Sequence, residues 1–230
     1  MTKIYCDIAD INLIKKFNNK SIVKGFTTNP SLMRKAGAKD YLIYSKKILK
    51  ITNKPVSFEV FADAEKGMIS QGLKISRWGK NVFVKVPVTN SKGKFMGKVI
   101  NKLNKKSIKL NITAVYTSKQ TKQILKKINY KTKVIISIFV GRMADTGKDP
   151  MPELINSLRF AKKYKNVEIL WASVREPYNY IQAKQLKCQL ITVPPSIIEK
   201  IEKFGKTFNK LTIDTVKNFL KDSRKSKFKI

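Results

Sequence analysis

The sequence alternates between two kinds of segment along its whole length of 230 residues. Short runs rich in β-branched and aromatic residues are separated by stretches in which apolar residues recur at helical spacing, and this pattern predicts alternating strands and helices. Such alternation implies parallel strand pairing and a sheet covered by helices. The eight predicted strands are 4–8, 25–28, 56–61, 82–88, 110–116, 134–140, 167–172 and 190–193.

Both a doubly wound sheet and a (β/α)8 barrel show this alternation. Eight strand–helix units in a chain of this length, with no Gly-x-Gly-x-x-Gly motif after a strand, favour the barrel. We therefore predict an α/β fold, a single (β/α)8 TIM barrel with an extra C-terminal helix over residues 1–222, followed by a basic tail at 223–230. The predicted helices are 10–17, 40–51, 64–78, 94–103, 118–128, 151–164, 178–186, 196–204 and, at the C-terminus, 212–221.

The charge of the chain is extreme, with 49 Lys and Arg, 15 Asp and Glu, and a formal net charge of +34. The lysines are spread over the whole chain, and only six of the basic residues are arginine, the preferred reader of bases and phosphates. We therefore expect non-specific attraction of anions and no specific nucleic-acid partner. No apolar stretch reaches the length of a membrane span, so we expect no membrane partner.

The numbers of cysteines and histidines further limit the disulfide and acid–base chemistry that we expect of the chain. Cys6 and Cys188 are too few for a disulfide framework and have the character of small core residues of a cytoplasmic protein. The N-terminus enters a strand-like pattern at once, so we expect no signal peptide. Since the chain has no histidine, acid–base chemistry falls to carboxylates, lysine, tyrosine or bound water, and we expect no metal or other cofactor.

A single lysine, Lys85, stands in the middle of the apolar run 82–88. A lysine is almost never fully buried without a partner or a function. Burial disfavours an ammonium ion and favours the free amine, which is a nucleophile able to form a Schiff base. The alternatives are a lysine that extends to the strand end or one that pairs with a carboxylate.

Polar side chains occur at the C-terminal ends of most of the predicted strands. In a (β/α)8 barrel these ends form the face that carries the active site. Each of these residues alone has the alternative role of a strand-end or helix N-terminal cap, and Asn29 before Pro30 is typical of a turn. Together they predict an active site, and they are Asp7, Thr28, Asn29, Glu59, Lys85, Asn111, Thr113, Ser137, Ser173 and Arg175.

Seven sequence blocks resemble those of transaldolases, in order and over nearly the full length. The chain is similar to the short transaldolase-like class, which also contains fructose-6-phosphate aldolases. The resemblance implies a barrel of class I aldolase type. The blocks are Tyr-Cys-Asp-Ile-Ala at 5–9, Phe-Thr-Thr-Asn-Pro-Ser-Leu at 26–32, Val-Phe-Val-Lys-Val-Pro at 82–87, Leu-Asn-Ile-Thr-Ala-Val-Tyr at 110–116, Ser-Ile-Phe-Val-Gly-Arg at 137–142, Trp-Ala-Ser-Val-Arg at 171–175 and Ile-Thr-Val-Pro-Pro at 191–195.

The resemblance implies a role for each catalytic position. Lys85 would condense with the C2 carbonyl of a ketose phosphate, and the iminium would allow the C3–C4 bond to break and leave an enamine. Asp7 would take the proton of the C4 hydroxyl and return it in the reverse addition. Glu59 and Thr113 would hold a water that carries protons.

The resemblance also implies the substrate-binding positions. Arg142 and Arg175 would bind a phosphate, because two planar guanidinium groups suit it. The alternative for these arginines is a surface ion pair with Asp145 or Glu176. The full set of substrate-binding residues is Thr28, Asn29, Asn111, Ser137, Phe139, Arg142, Ser173 and Arg175.

The resemblance covers two activities, a transaldolase that passes the three-carbon unit to an aldose phosphate and an aldolase that releases dihydroxyacetone. Aldolases of this class tend to carry Gln at position 59 and Tyr at position 139. Glu59 and Phe139 here favour a transaldolase of the pentose phosphate pathway acting on sugar phosphates. The alternatives are a fructose-6-phosphate aldolase, an aldolase for another phosphorylated ketose or deoxysugar, and a lysine-rich pseudoenzyme that binds RNA or anionic surfaces.

Two further expectations concern Trp171 and the assembly. A small residue is usual two positions before Ser173, and residues i and i+2 of a strand share a face. The indole of Trp171 would therefore either intrude into the sugar pocket or fill a lower layer of the core. The C-terminal segment 211–230 is amphipathic in part. The resemblance implies that such a segment packs on a neighbouring copy, and we expect a homo-oligomer.

Overall fold

The fold is a closed eight-stranded parallel barrel. It was obtained as a computed structural model that describes residues 1–227. The predicted α/β class and (β/α)8 barrel are confirmed, and each strand lies within two residues of its predicted bounds. The strands are β1 (Lys3–Asp7), β2 (Val23–Thr27), β3 (Val56–Glu59), β4 (Val82–Pro87), β5 (Leu110–Val115), β6 (Val134–Ile138), β7 (Val167–Trp171) and β8 (Leu190–Val193).

Each strand pairs with its neighbour along the chain, and β8 returns to pair with β1. The closing ladder places Lys3 opposite Leu190 and Cys6 opposite Val193. On the far side of the barrel, Glu59 at the end of β3 lies opposite Lys85 of β4, which in turn lies opposite Asn111 of β5. The register alone therefore brings three of the predicted polar residues side by side.

Helices connect the strands and cover the barrel. Two short helices were not predicted, α2 and α7, and both begin directly after a strand. The end of β6 is accordingly Ile138 rather than 140, because Val140 starts α7. The helices are α1 (Ile11–Asn18), α2 (Pro30–Lys35), α3 (Tyr41–Ile51), α4 (Glu65–Ser76), α5 (Gly97–Lys105), α6 (Ser118–Leu125), α7 (Val140–Ala144), α8 (Met151–Ala161), α9 (Tyr178–Gln185), α10 (Pro195–Ile201) and α11 (Phe208–Ser226).

Several helix starts are capped by the residue that precedes them. Asp10 and Asp40 accept hydrogen bonds from the backbone N–H groups of Leu13 and Ile43, which satisfies one free donor at each helix N-terminus. Thr117 forms a reciprocal capping box with Gln120 at the start of α6. These caps fix where the chain turns from the top of a strand into the next helix.

The apolar core has two layers, as alternating side chains of a barrel strand require. A large outer cluster fills the space between strands and helices. A smaller inner cluster fills the lower part of the barrel and contains Tyr5, Phe83, Ile135, Leu170, Ala172 and Leu190. The inner cluster closes the barrel from below, so that the polar residues above it form the floor of a cavity that opens at the C-terminal ends of the strands.

Two backbone features shape the rim of this cavity between β6 and β7. Ser173, just beyond β7, has a φ of 65° and therefore turns out of the extended conformation. A Cβ added to Gly141 in α7 would meet the carbonyl oxygen of Ser173 at 1.7 Å. Only glycine allows α7 to approach the end of β7 this closely.

The last helix differs from the others because none of its side chains is buried. It begins before and ends beyond the predicted 212–221, and it therefore includes residues 223–226 of the predicted tail. Residues 228–230 of that tail lie outside the described residues. Its exposed apolar side chains are Phe208, Leu211, Ile213, Val216, Phe219 and Leu220. Among the described residues, no helix is long and apolar enough to cross a membrane.

Candidate active site

A cavity of about 220 Å³ lies at the C-terminal ends of the strands. Most of the polar residues predicted for an active site meet there, although they come from strands distributed around the whole barrel. This is the face on which (β/α)8 enzymes carry their active sites. The lining residues are Asp7, Thr27, Asn29, Lys85, Asn111, Thr113, Ser137, Phe139, Arg142, Ala172, Ser173, Val174, Arg175, Thr192 and Pro194.

Lys85 forms the floor of the cavity and is only 7 % exposed. Its Nζ donates a hydrogen bond to the carbonyl oxygen of Thr28 at 3.1 Å and lies 3.1 Å from Oε2 of Glu59. Of the alternatives considered for this lysine, pairing with a carboxylate is what the structure shows. The pairing leaves the amine in contact with the cavity, so it is compatible with a reaction at Nζ.

Asp7 faces the same space from the end of β1. Oγ1 of Thr27 donates a hydrogen bond to Oδ1 of Asp7 at 2.7 Å, and the hydroxyl of Thr192 is in turn hydrogen-bonded to Thr27. Burial raises the pKa of Asp7 above the usual carboxyl range, although the positive charge of Lys85 and the bond from Thr27 oppose the shift. A carboxyl group with a raised pKa is suited to proton exchange near neutral pH.

Asn111 is held by hydrogen bonds on both sides. Its Nδ2 donates to Oγ of Ser57 at 3.0 Å, and Oγ of Ser137 donates to its Oδ1 at 2.6 Å. All three side chains are buried. Because an amide nitrogen carries two N–H donors, the second N–H of Asn111 remains to bind a ligand. Ser137, which the resemblance gave as a substrate-binding residue, therefore also orients Asn111.

Glu59 of β3 and Thr113 of β5 lie on either side of the strand that carries Lys85. Thr113 lines the cavity, and both residues border a second space that shares Lys85 with it. Oγ1 of Thr113 is buried and has no hydrogen-bond partner among the described residues. The backbone of Glu59 is held by the phenol of Tyr41, which accepts from its N–H at 2.9 Å and donates to its carbonyl oxygen at 3.1 Å. A buried hydroxyl without a partner is a site for an ordered water or a substrate oxygen.

The motif at 26–32 contributes in two different ways. Asn29 caps α2 by accepting a hydrogen bond from the N–H of Leu32 at 2.9 Å, and it also lines the cavity. The turn role considered for Asn29 is therefore present, and its position is also compatible with binding a ligand in the cavity. The hydroxyl of Thr28 is bonded to the carbonyl oxygen of Ser57 at 2.8 Å, so Thr28 contacts Lys85 through its carbonyl group and not its side chain.

Two arginines reach the cavity at the rim. The guanidinium of Arg142 lies over the ring of Phe139, 5.2 Å from its centroid. Arg175 donates from Nε to Oδ1 of Asp145 at 3.0 Å and from Nη2 to Oδ2. The ion pair considered as an alternative for Arg175 is therefore present, and it uses one edge of the guanidinium. The other edge, formed by Nη1 and Nη2, is left for a ligand.

Trp171 does not enter the cavity. Its side chain is buried in the outer cluster, between the barrel and the helices, and it borders a separate space with Gly141 and Asn179. The expectation that Trp171 and Ser173 share a face of the strand fails, because Ser173 has a positive φ and no longer follows the alternation of side chains along β7. The small residue that faces the cavity is Ala172.

The sequence missed several residues that the structure places in or beside the site. Thr27 is hydrogen-bonded to Asp7, and Thr192 to Thr27. Ser57 is hydrogen-bonded to Asn111. Tyr41 is hydrogen-bonded to the backbone of Glu59. For Thr27, Ser57 and Thr192, the inward position on a strand was an available signal. Tyr41 had no such signal, because it reaches the site from the start of a helix.

The raised pKa of Asp7 predicts that this residue lowers stability at neutral pH. Since the folded-state pKa is above the unfolded one, the stability contributed by the group falls as pH rises through this range. We expect Asp7→Asn to raise Tm at pH 7 by about 2 °C or more. Thermal unfolding should show the gain shrinking as the pH is lowered and Asp7 becomes protonated.

The exposed Asp222→Asn serves as the control and should leave Tm unchanged at every pH. A Tm for Asp7→Asn equal to or below that of the wild type at pH 7 would contradict the prediction.

Comparison with known proteins assigns the chain to a family. The model of the family described as Transaldolase/Fructose-6-phosphate aldolase matches residues 4–230. A probable transaldolase of Thermoplasma volcanium is 35 % identical over 97 % of this chain and 96 % of that protein. A probable transaldolase of Nitrosopumilus maritimus is 34 % identical over 98 % of this chain and 96 % of that protein. A probable transaldolase of a Thermoanaerobacter species is 31 % identical over 99 % of this chain and 100 % of that protein. The chain therefore belongs to the transaldolase/fructose-6-phosphate aldolase family.

Proposed function

We propose that this enzyme is a transaldolase that forms a Schiff base on Lys85 and transfers a dihydroxyacetone unit between sugar phosphates. The donor would be sedoheptulose 7-phosphate or fructose 6-phosphate, and the acceptor glyceraldehyde 3-phosphate or erythrose 4-phosphate, as in the pentose phosphate pathway. The observation that carries the proposal is a buried lysine amine in the barrel mouth, 3.1 Å from one carboxylate and close to a second.

The first half of the reaction forms the Schiff base. The amine of Lys85 attacks the C2 carbonyl of the ketose to give a carbinolamine, which loses water to become an iminium. These steps move protons to and from oxygen, and in this proposal a water bound between Glu59 and Thr113 carries them, which the unpaired hydroxyl of Thr113 supports. Tyr41 holds the backbone of Glu59 by two hydrogen bonds and so positions the residue whose carboxylate pairs with the amine.

The second half breaks the carbon–carbon bond. Asp7 takes the proton of the C4 hydroxyl, the C3–C4 electrons move into the iminium, and an aldose phosphate departs from an enamine on Lys85. The incoming aldose phosphate reverses these steps and receives its proton from Asp7. The raised pKa of Asp7 supports both directions, because the group must accept and release a proton in one cycle.

Binding of the substrate divides between the floor and the rim of the cavity. The free N–H of Asn111 and the side chain of Asn29 are placed to hold hydroxyls of the three-carbon unit. Arg142 and the open edge of Arg175 are placed to bind the phosphate at the rim, beside Ser173. This division places the reacting carbons at Lys85 and the charged end toward solvent.

Transfer is favoured over simple cleavage because the position that tends to be Tyr in aldolases of this class is Phe139 here. Phe139 lines the cavity and has no hydroxyl group, and its ring is covered by Arg142. An enamine that is not protonated stays attached to the lysine until it adds to an aldehyde acceptor. A fructose-6-phosphate aldolase, which protonates the enamine and releases dihydroxyacetone, is the second candidate.

We also propose that the enzyme is a cytoplasmic homo-oligomer assembled through α11. Both cysteines are free and buried, in keeping with a reducing compartment. The exposed apolar side chains of α11, such as Phe208 and Phe219, recur at helical spacing on one side of the helix. An apolar surface of this kind is typical of a contact with another protein, and a second copy of this chain is the partner we propose.

Lys85 is expected to carry the covalent intermediate. Treatment with fructose 6-phosphate and borohydride should reduce the Schiff base and leave a dihydroxyacetone-sized adduct on the Lys85 peptide in mass spectrometry. Lys85→Met should lose the adduct and at least about a thousandfold in turnover while keeping its circular dichroism spectrum. Lys54→Met, which changes another partly buried lysine, should keep both. An adduct on a different lysine would overturn the mechanism.

The role of Phe139 is tested by adding a hydroxyl to it. Phe139→Tyr places a proton donor beside the enamine and should raise release of free dihydroxyacetone from fructose 6-phosphate, measured without acceptor, by about tenfold or more. Phe61→Tyr, at an exposed ring, should not change the ratio of release to transfer. Wild-type enzyme that releases dihydroxyacetone as fast as it transfers it would favour the aldolase.

The role of α11 is tested by light scattering coupled to size-exclusion chromatography. Phe208→Gln with Phe219→Gln should shift the protein to a smaller species, because the change removes apolar contact area. Lys217→Gln with Lys221→Gln, on the opposite side of the same helix, should leave the mass unchanged. Wild-type protein that elutes as a monomer would contradict the proposal.

A further inference from the structure

The acidic residues of the chain are distributed much less evenly than the lysines. All 15 Asp and Glu residues lie in 1–65 or 145–230, and the 79 residues from 66 to 144 contain 19 Lys and Arg and no acid. The fold gathers this segment into one sector of the barrel, from α4 to α7. That sector therefore has a positive surface with almost no internal neutralisation.

Part of this sector is a rigid surface at the N-terminal end of the barrel, opposite the active site. The amide of Asn101 donates to the carbonyl oxygen of Lys127 at 2.9 Å, and the N–H of Asn129 donates to Asn104 at 2.7 Å. These bonds join the C-terminal end of α5 to the segment after α6. We call the exposed lysines that this joining brings together the basal patch, and they are Lys105, Lys106, Lys126, Lys127 and Lys131.

The lysines of the basal patch have no ion-pair partner among residues 1–227. Elsewhere, the exposed Lys3 and Lys16 and the half-buried Lys20 each pair with a glutamate at 2.6–2.9 Å. Like charges gathered without partners repel one another, so the patch is unsuited to packing against a second copy of this chain. Its charge is complementary to an anionic partner.

An exposed aromatic ring, that of Tyr130, lies in the loop that carries Lys131, and we call it the aromatic platform. The ring of Tyr130 is stacked on Tyr164 with centroids 4.9 Å apart and planes 4° from parallel, yet Tyr130 is 67 % exposed. Asn166 ties the two loops together by donating to the carbonyl oxygens of Asn129 and Thr132 at 2.8 and 2.6 Å. The outer face of Tyr130 is therefore an ordered flat surface, with Lys131 next to it in the chain and Nζ of Lys163 6.0 Å from the centroid of Tyr164.

We propose that the basal patch binds single-stranded nucleic acid through its phosphate backbone, with one base stacked on Tyr130. Cationic grooves combined with exposed aromatic rings are the common means of binding single strands without sequence preference. Lysines rather than arginines supply the charge, in keeping with backbone contacts and not base recognition. A membrane surface fits less well, because Tyr130 is the one exposed large hydrophobic residue of the segment 66–144, all of which is described.

The proposal is tested with a fluorescein-labelled oligouridylate of about 20 nucleotides, titrated with the full-length enzyme while anisotropy is recorded from 50 to 200 mM salt. Lys105→Gln with Lys126→Gln and Lys127→Gln should weaken binding about tenfold and lower the slope of log K against log salt by about 2. The matched control changes three exposed lysines on α1 and α3, namely Lys15→Gln, Lys47→Gln and Lys50→Gln. It should change Kd less than about twofold.

The platform is tested separately. Tyr130→Ala should weaken binding about fivefold or more, and Tyr130→Phe should restore it, because stacking requires the ring and not the hydroxyl. Tyr178→Ala, at another exposed tyrosine, should have no effect. All variants should keep wild-type turnover of sugar phosphates, or wild-type circular dichroism if the enzyme proves inactive on them.

Three results would overturn the proposal. Equal weakening by the two triple variants would mean that the overall charge of the protein, and not the patch, attracts the strand. Absence of binding at 50 mM salt would mean that the patch does not take nucleic acid. Binding to vesicles of phosphatidylglycerol but not to the oligonucleotide would assign the patch to a membrane surface.

Discussion

Closure of the barrel is the constraint on which the rest of the structure depends. The ladder between β1 and β8 joins the first and last strands and leaves no open sheet edge. It also brings Asp7, near the start of the chain, to Thr192, near its end, through the hydroxyl of Thr27. Residues far apart in sequence can form one cavity only because every strand points the same way around a closed ring.

The charges of the site follow from that geometry. Three ionisable groups, Lys85, Glu59 and Asp7, are brought within a small space above the apolar inner cluster, and each lies close to an opposite charge. Burial works against ionisation of Asp7, and Lys85 works in its favour. Such an arrangement is poor for stability and suited to proton transfer, the compromise expected of an active site.

The sequence predicted the barrel and most of the cavity, because both depend on residue type and strand position. Lys85, Asn111 and Asp7 could be found in this way, since each is a polar residue within or at the end of an apolar strand. Contacts that depend on how separate elements pack against one another could not be predicted from the sequence. The pairing of Arg175 with Asp145 remained one of two alternatives, and the role of Tyr41 in holding Glu59 depends on how α3 packs on β3.

The outward position of Trp171 has a consequence for spectroscopy. The chain has two tryptophans, and the other, Trp78, packs with Tyr41 and Phe58 on the outer side of the barrel. Neither indole lines the sugar cavity. Intrinsic tryptophan emission therefore reports how the helices are seated on the barrel, so that loosening of the outer shell can be followed optically while the sugar site is occupied or empty.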